Sequence, residues 1–313
     1  AFLLWAVGIG LALGELQNLL TGFAARRLRA GWRRHLAELG LVLALMAFVF
    51  QTLTVAQRAW PAADRSRAWD VAENAYDALS QPLPRGATII GILGEMTVLR
   101  YFQWTQSRRP DVQTIAANPE NERLATLERV LAEAGEAYLT RQLPGVESRF
   151  HLDAVGPLIR VMPKPPAAAA GACAADRELA AGICLHRVGI EVLPRRVSVL
   201  VRVDLEWRAL RGGLDDVRFS ARLYAADGSF LAQHDSRPVH ETYPTSFWQA
   251  GEATTDVMDV RIPPGTPAGE YDVVLIAYAP TDGRELGRTT LGRLSLPARD
   301  ATAGPDTGVP GAR

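Results

Sequence analysis

Hydrophobic positions along this chain follow three different patterns, and each predicts a different kind of structure. Residues 39–56, LGLVLALMAFVFQTLTVA, carry no charge. At ~1.5 Å per residue a helix of this length reaches about 27 Å, close to the ~30 Å hydrocarbon thickness of a bilayer. A second apolar run fills residues 1–20, with Glu15, Gln17 and Asn18 toward its end. It shows neither the charged start nor the small-residue cleavage site of a signal peptide, and it reads as the remnant of a transmembrane helix. Residues 1–58 are therefore expected to form two transmembrane helices.

From residue 59 the period shortens to that of packed helices and strands. Ala68, Val71, Ala72, Ala75, Ala78 and Leu79 recur at helical spacing over 64–79, with Asp64 as the expected N-cap. A strand is predicted at 87–93, a helix from Gly94 and Glu95 through Trp104, a strand at 112–117, a helix at 120–134 and a short strand at 137–140. That alternation predicts a parallel sheet in a small α/β, Rossmann-like three-layer domain over 59–163, with a hairpin from 149–152 and 158–162 at its edge. The Ala/Pro-rich stretch 164–184 reads as a linker. Beyond it the period becomes two. Val199, Val201, Val203, Leu205 and Trp207 alternate with more polar neighbours, and further strands are expected at 219–223, 230–234, 258–262, 271–278 and 289–296. Turns at Ala226-Asp227-Gly228 and Thr281-Asp282-Gly283 separate some of them. Strands at this spacing predict an antiparallel β-sandwich over 185–298, followed by a disordered tail at 299–313.

Charge alters this picture at one place. The 34 basic and 34 acidic residues cancel, so no bulk field recruits nucleic acid, and none is expected as a partner. The segment between the two apolar runs, however, holds Arg26, Arg27, Arg29, Arg33 and Arg34 without an acid. That bias places the turn in the cytoplasm and everything after about residue 57 on the extracytoplasmic side of a multi-pass cell-membrane protein. Cys173 and Cys184 could bridge in that compartment, or be two unrelated small residues. With His186 they supply only three zinc ligands.

Candidate chemistry is sparse. Gly91 and Gly94 follow the first strand, but a dinucleotide fingerprint needs a third glycine in register, and Glu95 at a helix start is explained by the helix dipole. His234, Asp235, His240 and Glu241 share a polar loop without metal-ligand spacing. Ser246 lacks a nucleophile elbow. Tyr243 and Trp248 in that loop are candidates to contact a substrate or acceptor by stacking on sugar rings, or else they cap the core. An Arg–Pro–Asp turn at Arg109 to Asp111 favours a loop-fixing role. No residue of the chain is assigned catalysis, cofactor binding or metal binding.

Three passages carry a family resemblance. Residues 83–112 include RPDV at Arg109 to Val112, and residues 136–161 end in GPLIRV. Residues 235–286 contain Pro244, Thr245, Ser246, Trp248, Gly251, Glu252, Asp256 and the run from Pro267 to Tyr271. Together they resemble the C-terminal end of GT-C type multi-pass membrane glycosyltransferases, the bacterial protein O-mannosyltransferase-like group. The resemblance implies a parent enzyme that moves a sugar from a polyprenyl-phosphate donor to a glycan or protein acceptor outside the membrane, with a divalent metal as an implied cofactor. In that family the catalytic carboxylate is expected in a first extracytoplasmic loop, which this chain lacks, so the fragment alone is expected to be inactive. The alternative is a membrane-tethered carbohydrate- or protein-binding module without catalytic activity.

Overall fold

The structure is a computed structural model that describes residues 14–15, 18–19, 22, 30–63, 69–169, 173–174, 177–196 and 198–297. Most of the expected first transmembrane helix, most of the arginine turn, the Asp64 cap and the tail after 298 lie outside these residues. The chain divides into two compact units, Ala1–Arg67 and Ala68–Arg313.

In the first unit, helix α1 spans Ala30–Ala63. Within it Leu39–Trp60 is long and apolar enough to cross a membrane, and its window has none of its residues buried against protein. Thr52 and Thr54 return their hydroxyls to the carbonyls of Phe48 and Phe50. This removes the polar cost those side chains would otherwise carry in hydrocarbon.

The second unit opens on α2 (Asp70–Ser80), β1 (Thr88–Gly91), α3 (Leu93–Gln106), β2 (Gln113–Ala116), α4 (Glu120–Ala134) and β3 (Ala137–Leu139). A four-residue helix α5 (Val146–Arg149) leads into the hairpin β4 (Phe150–Val155) and β5 (Leu158–Pro163). These strands form one mixed sheet in the order β2-β1-β3-β5-β4. β1 runs parallel to β2 and β3, while β5 is antiparallel to both β3 and β4. Alternation splits β1 between two cores. Ile89 packs with Ala75, Ala78, Met96 and Leu99 of α2 and α3, and Ile90 packs with Leu127, Val130 and Leu131 of α4. The sheet is thus covered by helices on both faces.

Eight further strands follow, here β6 (Glu178–Ala180), β7 (Ile183–Pro194), β8 (Val199–Ala209), β9 (Arg218–Ala225), β10 (Phe230–Ser236), β11 (Ala253–Ile262), β12 (Gly269–Tyr278) and β13 (Glu285–Leu296). Their two sheets, β10-β9-β12-β13 and β11-β8-β7-β6, contain only antiparallel pairs. Trp207 of β8 stacks on Phe219 of β9 at 4.2 Å between centroids, joining the sheets as a sandwich. β6 and the start of β7 occupy residues that composition assigned to the linker.

The α/β part and the sandwich belong to the same compact unit. A single apolar cluster runs from Ile90, Leu139 and Val161 through to Val203, Trp207 and Leu275. Cys173 in the connecting segment is disulfide-bonded to Cys184 of β7.

Candidate functional site

The surface of β8 facing away from the sandwich core receives the α/β part. Even-numbered residues of β8 point there because the odd ones, Val201 to Trp207, fill the core. Arg202 bonds both carboxylate oxygens of Asp77 on α2, at 3.2 and 2.7 Å, and both oxygens of Asp259 on β11, at 2.8 Å each. Arg195 adds a third bond to Asp77 at 2.8 Å. Burial disfavours the Asp77 carboxylate, but its hydrogen bonds to Arg202 and Arg195 win and hold its pKa below the usual range.

A second polar joint centres on His151 of β4, which is buried with its partners Asp153, Glu252 and Tyr243. Nδ1 of His151 lies 2.5 Å from Glu252 Oε1 and Nε2 lies 3.3 Å from Asp153 Oδ2. Tyr243 donates its hydroxyl to the same Glu252 oxygen at 2.6 Å, and the Gln249 amide donates to the other at 2.7 Å. Asp153 also accepts the Thr255 amide of β11 at 2.8 Å. Burial alone would lower the histidine pKa; the two carboxylates more than offset it and raise it to about 9. His151 is therefore an imidazolium at neutral pH, with both N–H groups donated. A buried, doubly bonded cation of this kind is a latch rather than a general base.

Between the joints lies a cleft of about 580 Å³ whose lining includes Asp153, Arg160, Arg187, Gly189, Asp204 and Glu206. Its size is in the range of ligand sites. Burial raises the pKa of Asp204. The carboxylates can accept from hydroxyl-rich ligands and Arg187 can donate to them. Arg160 is already engaged by Glu136 at 2.5 and 2.7 Å. A smaller hollow of about 130 Å³ touches Glu95 and Thr140 at the carboxyl ends of β1 and β3. Glu95 is fully occupied there: it accepts from Thr140 at 2.6 Å, from Arg141 at 2.5 Å and from the Ile92 amide at 3.3 Å. The dipole explanation for Glu95 thus covers only part of its role.

The loop holding most of the sequence candidates is folded by backbone strain. Val239, His240 and Glu241 all take left-handed φ angles, 57°, 53° and 67°, which are costly for residues with a Cβ. Asp256 holds the turn by accepting the Val239 amide at 2.7 Å. Burial raises the pKa of that carboxyl to about 6. Glu241 is anchored by ion pairs to Arg218 and Arg237. His240 donates from Nε2 to the Gly156 carbonyl at 2.8 Å in the β4–β5 turn. Its pKa is lowered by burial. His234 and Asp235 lie outside the turn, on β10.

Tyr243 and Trp248 do not face solvent. Both are buried, with centroids 6.2 Å apart, and Tyr243 also meets His151 edge-on. Neither ring offers a face to a sugar, which corrects the expectation that they contact a substrate or acceptor; the loop uses them to seal the joint. Arg109 clamps Asp111 at 2.8 and 2.9 Å and reaches the carbonyls of Leu83 and Pro84 at 3.0 Å, fixing the turn before β1. The sequence pattern did not single out His151 or Asp153, and it marked Glu252 only through the family resemblance. The available signal was HLD, a histidine and an aspartate two apart on a strand, which necessarily share one face. Among the described residues no group of three or more His, Cys, Asp or Glu could hold a metal ion.

No family model matches the chain, and no curated protein does. Among solved structures it is similar to the C-terminal domain of wzt, at 15% identity and a TM-score of 0.29, over 44% of this chain and 81% of that one. It is also similar to a glycoside hydrolase family 2 β-glucuronidase, at 12% identity and a TM-score of 0.26, covering 35% of this chain and only 10% of the glucuronidase. A Bacteroides uniformis β-glucuronidase gives 10% identity and 0.26, covering 42% of this chain and 14% of that one. Likenesses this faint decide neither fold nor function.

Proposed function

We propose that this chain is the membrane-anchored, extracytoplasmic C-terminal portion of a GT-C type glycosyltransferase that uses a polyprenyl-phosphate sugar. Its last transmembrane helix is the span Leu39–Trp60, and the arginine-rich segment before it sets the direction from cytoplasm to outside. In the parent enzyme an acceptor hydroxyl attacks the anomeric carbon of the lipid-linked sugar, and the acidic base belongs to a loop outside this chain. The α/β part and the sandwich form the accessory body on the outer face. Their cleft, with Asp204, Glu206 and Arg187, is the place we assign to the acceptor. No step is routed through a metal.

The observation that carries this reading is where the resembling residues fall. Arg109 and Asp111, Gly156, Trp248, Glu252 and Asp256 are the residues that fix the β1 turn, the His240 contact and the buried latch. Resembling residues at such joints support the reading of a shared scaffold. The binding-module alternative called for two of Tyr243, Trp248, Tyr271 and Tyr278 to be exposed on one face; the first three are buried and Tyr278 is half-buried.

The test uses membranes from cells expressing the gene with all coding sequence upstream of Ala1. Incubation with radiolabelled polyprenyl-phosphate mannose, and then with other polyprenyl-phosphate hexoses, should label an acceptor. The chain from Ala1 alone should label none. An upstream region without further spans and without an acidic extracytoplasmic loop would sink the proposal, as would membranes that transfer no sugar.

A further inference from the structure

Helices α3 and α4 cover opposite faces of the same sheet, yet their outward surfaces differ in kind. The exposed side of α4 carries Glu120, Glu122, Glu128, Arg129 and Glu133, an ordinary solvated face. The exposed side of α3 carries no charge. Its stripe is Leu93, Thr97, Tyr101 and Trp104, at spacings of four, four and three. Leu93 is 54%, Tyr101 56% and Trp104 82% exposed, and Val71 on the adjoining α2 is 56% exposed.

Most polar groups of α3 are satisfied within the protein, and Gln106 at its C-terminal end is exposed. Its two charged side chains are engaged within the fold, Glu95 with Thr140 and Arg141, and Arg100 with Thr114 at 2.9 Å. Thr97 and Thr105 donate their hydroxyls to the carbonyls of Leu93 and Tyr101, each at 2.7 Å. What remains is an uncharged face with two amphipathic aromatics on its C-terminal half, the side-chain types that settle at a membrane–water boundary.

Chain connectivity says what can cover it. The apolar span ends at Trp60 and α2 begins at Asp70. With α1 continuing to Ala63, the chain from Trp60 to Asp70 reaches at most about 30 Å. α3 lies directly beside α2, with Tyr76 and Phe102 edge-to-face at 5.8 Å. If α1 crosses a bilayer, α2 and its neighbour are held within a short tether of that bilayer's surface.

We infer that the Leu93–Tyr101–Trp104 stripe of α3 is a membrane-docking surface that seats the second unit on the lipid headgroup region. The inference rests on the spanning reading of α1 and is independent of the glycosyltransferase proposal. Docking adds a second anchor to the span and limits the angles the second unit can explore. Its aromatics lie flat at the interface in the manner of an interfacial helix.

The test compares the full chain with the W104F variant in liposomes of phosphatidylcholine and phosphatidylglycerol, made with and without brominated acyl chains. The difference between the two fluorescence signals isolates Trp104 from the other tryptophans. We expect brominated lipid to quench that difference signal at least twofold, and aqueous iodide to leave it nearly unchanged. Quenching by iodide alone overturns the docking. Protection from both quenchers also overturns it, and assigns the stripe to a protein partner instead. Alkaline carbonate extraction of the same vesicles reports the tether separately. Retention supports it, and a chain that washes out fails the spanning reading and the docking together. The glycosyltransfer assay is unaffected by either result.

Discussion

At the scale of single residues, the chain's most constrained chemistry is a proton held out of reach of solvent. His151 donates to Glu252 and Asp153 in a buried site. Its pKa is raised from 6.5 to about 9, a difference of about 3 kcal/mol by the usual conversion. The native state binds the extra proton more tightly than the unfolded chain. The stabilisation is therefore complete below about pH 6.5 and is lost as pH rises through about 9. Glu252 and Asp153 behave in the opposite sense. Burial opposes their charge, but hydrogen bonds from His151 hold both below their ordinary values, so their share is lost only in acid. Thermal melts of the wild type should therefore fall steeply between pH 7 and 9.5. In H151Q that alkaline limb should flatten while the molecule melts lower at pH 6. An unchanged limb would mean that the imidazole is neutral in the fold. Tyr243 belongs to the same unit, which is why it could be picked out as special from sequence and still be misassigned. Its ring and hydroxyl carry the same signature whether the partner is a sugar or a buried glutamate.

At the scale of elements, some were plain in the sequence and others were hidden for identifiable reasons. Helix α4 falls on the residues its periodicity predicts, because a full apolar stripe and a terminal Gly135 at φ 78° agree on where it ends. β12 and the Asp227-Gly228 and Asp282-Gly283 turns were equally legible, since turn chemistry and hydrophobic run coincide. β6 and β7 were masked by an Ala/Gly-rich neighbourhood whose composition signals linker, although a disulfide ties that segment to the sandwich. The turn at Val239 to Glu241 could not be read at all. None of its residues advertises a positive φ, and the turn exists because Asp256, from a strand seventeen positions on, holds it. Gly91 is a contrary case, a glycine that resembles part of a nucleotide motif and is used for packing. A Cβ there would lie 2.1 Å from Thr140 Oγ1, 2.8 Å from Met96 Cε and 2.9 Å from Glu95 Oε2. Replacing it with alanine should cost about 1–3 kcal/mol, measured by urea denaturation, with loss of the Thr140–Glu95 bond. A neutral G91A would show that the strand end has slack and would reopen a ligand-based reason for the glycine.

At the scale of the whole molecule, the sequence pattern suggests two domains joined by a linker, and in the structure the two share one compact unit and one apolar cluster. The pattern could not show this, because the joining residues are single charges far apart in sequence. Asp77 and Arg202 meet across 125 positions, and nothing local to either marks the other. The consequence concerns cooperativity. If apolar continuity sets it, the α/β part and the sandwich unfold together even when the polar joint is broken, because the core from Ile90 to Leu275 is shared. If the ion pairs set it, removing their hub separates the two. The R202A substitution discriminates between these. Arg202 is buried and serves Asp77 and Asp259 together, so its loss leaves Asp259 without its ion-pair partner and Asp77 with Arg195 as its remaining cation and the Gln81 amide as a neutral donor. Breaking a buried pair in this way costs about 3–5 kcal/mol. For a unit of this size that corresponds to a Tm lower by roughly 10 °C. We expect calorimetry of R202A to show that shift with a single transition for the second unit. Two resolved transitions would mean that the charges, not the shared core, make it one body, and that the two-domain pattern describes its thermodynamics after all.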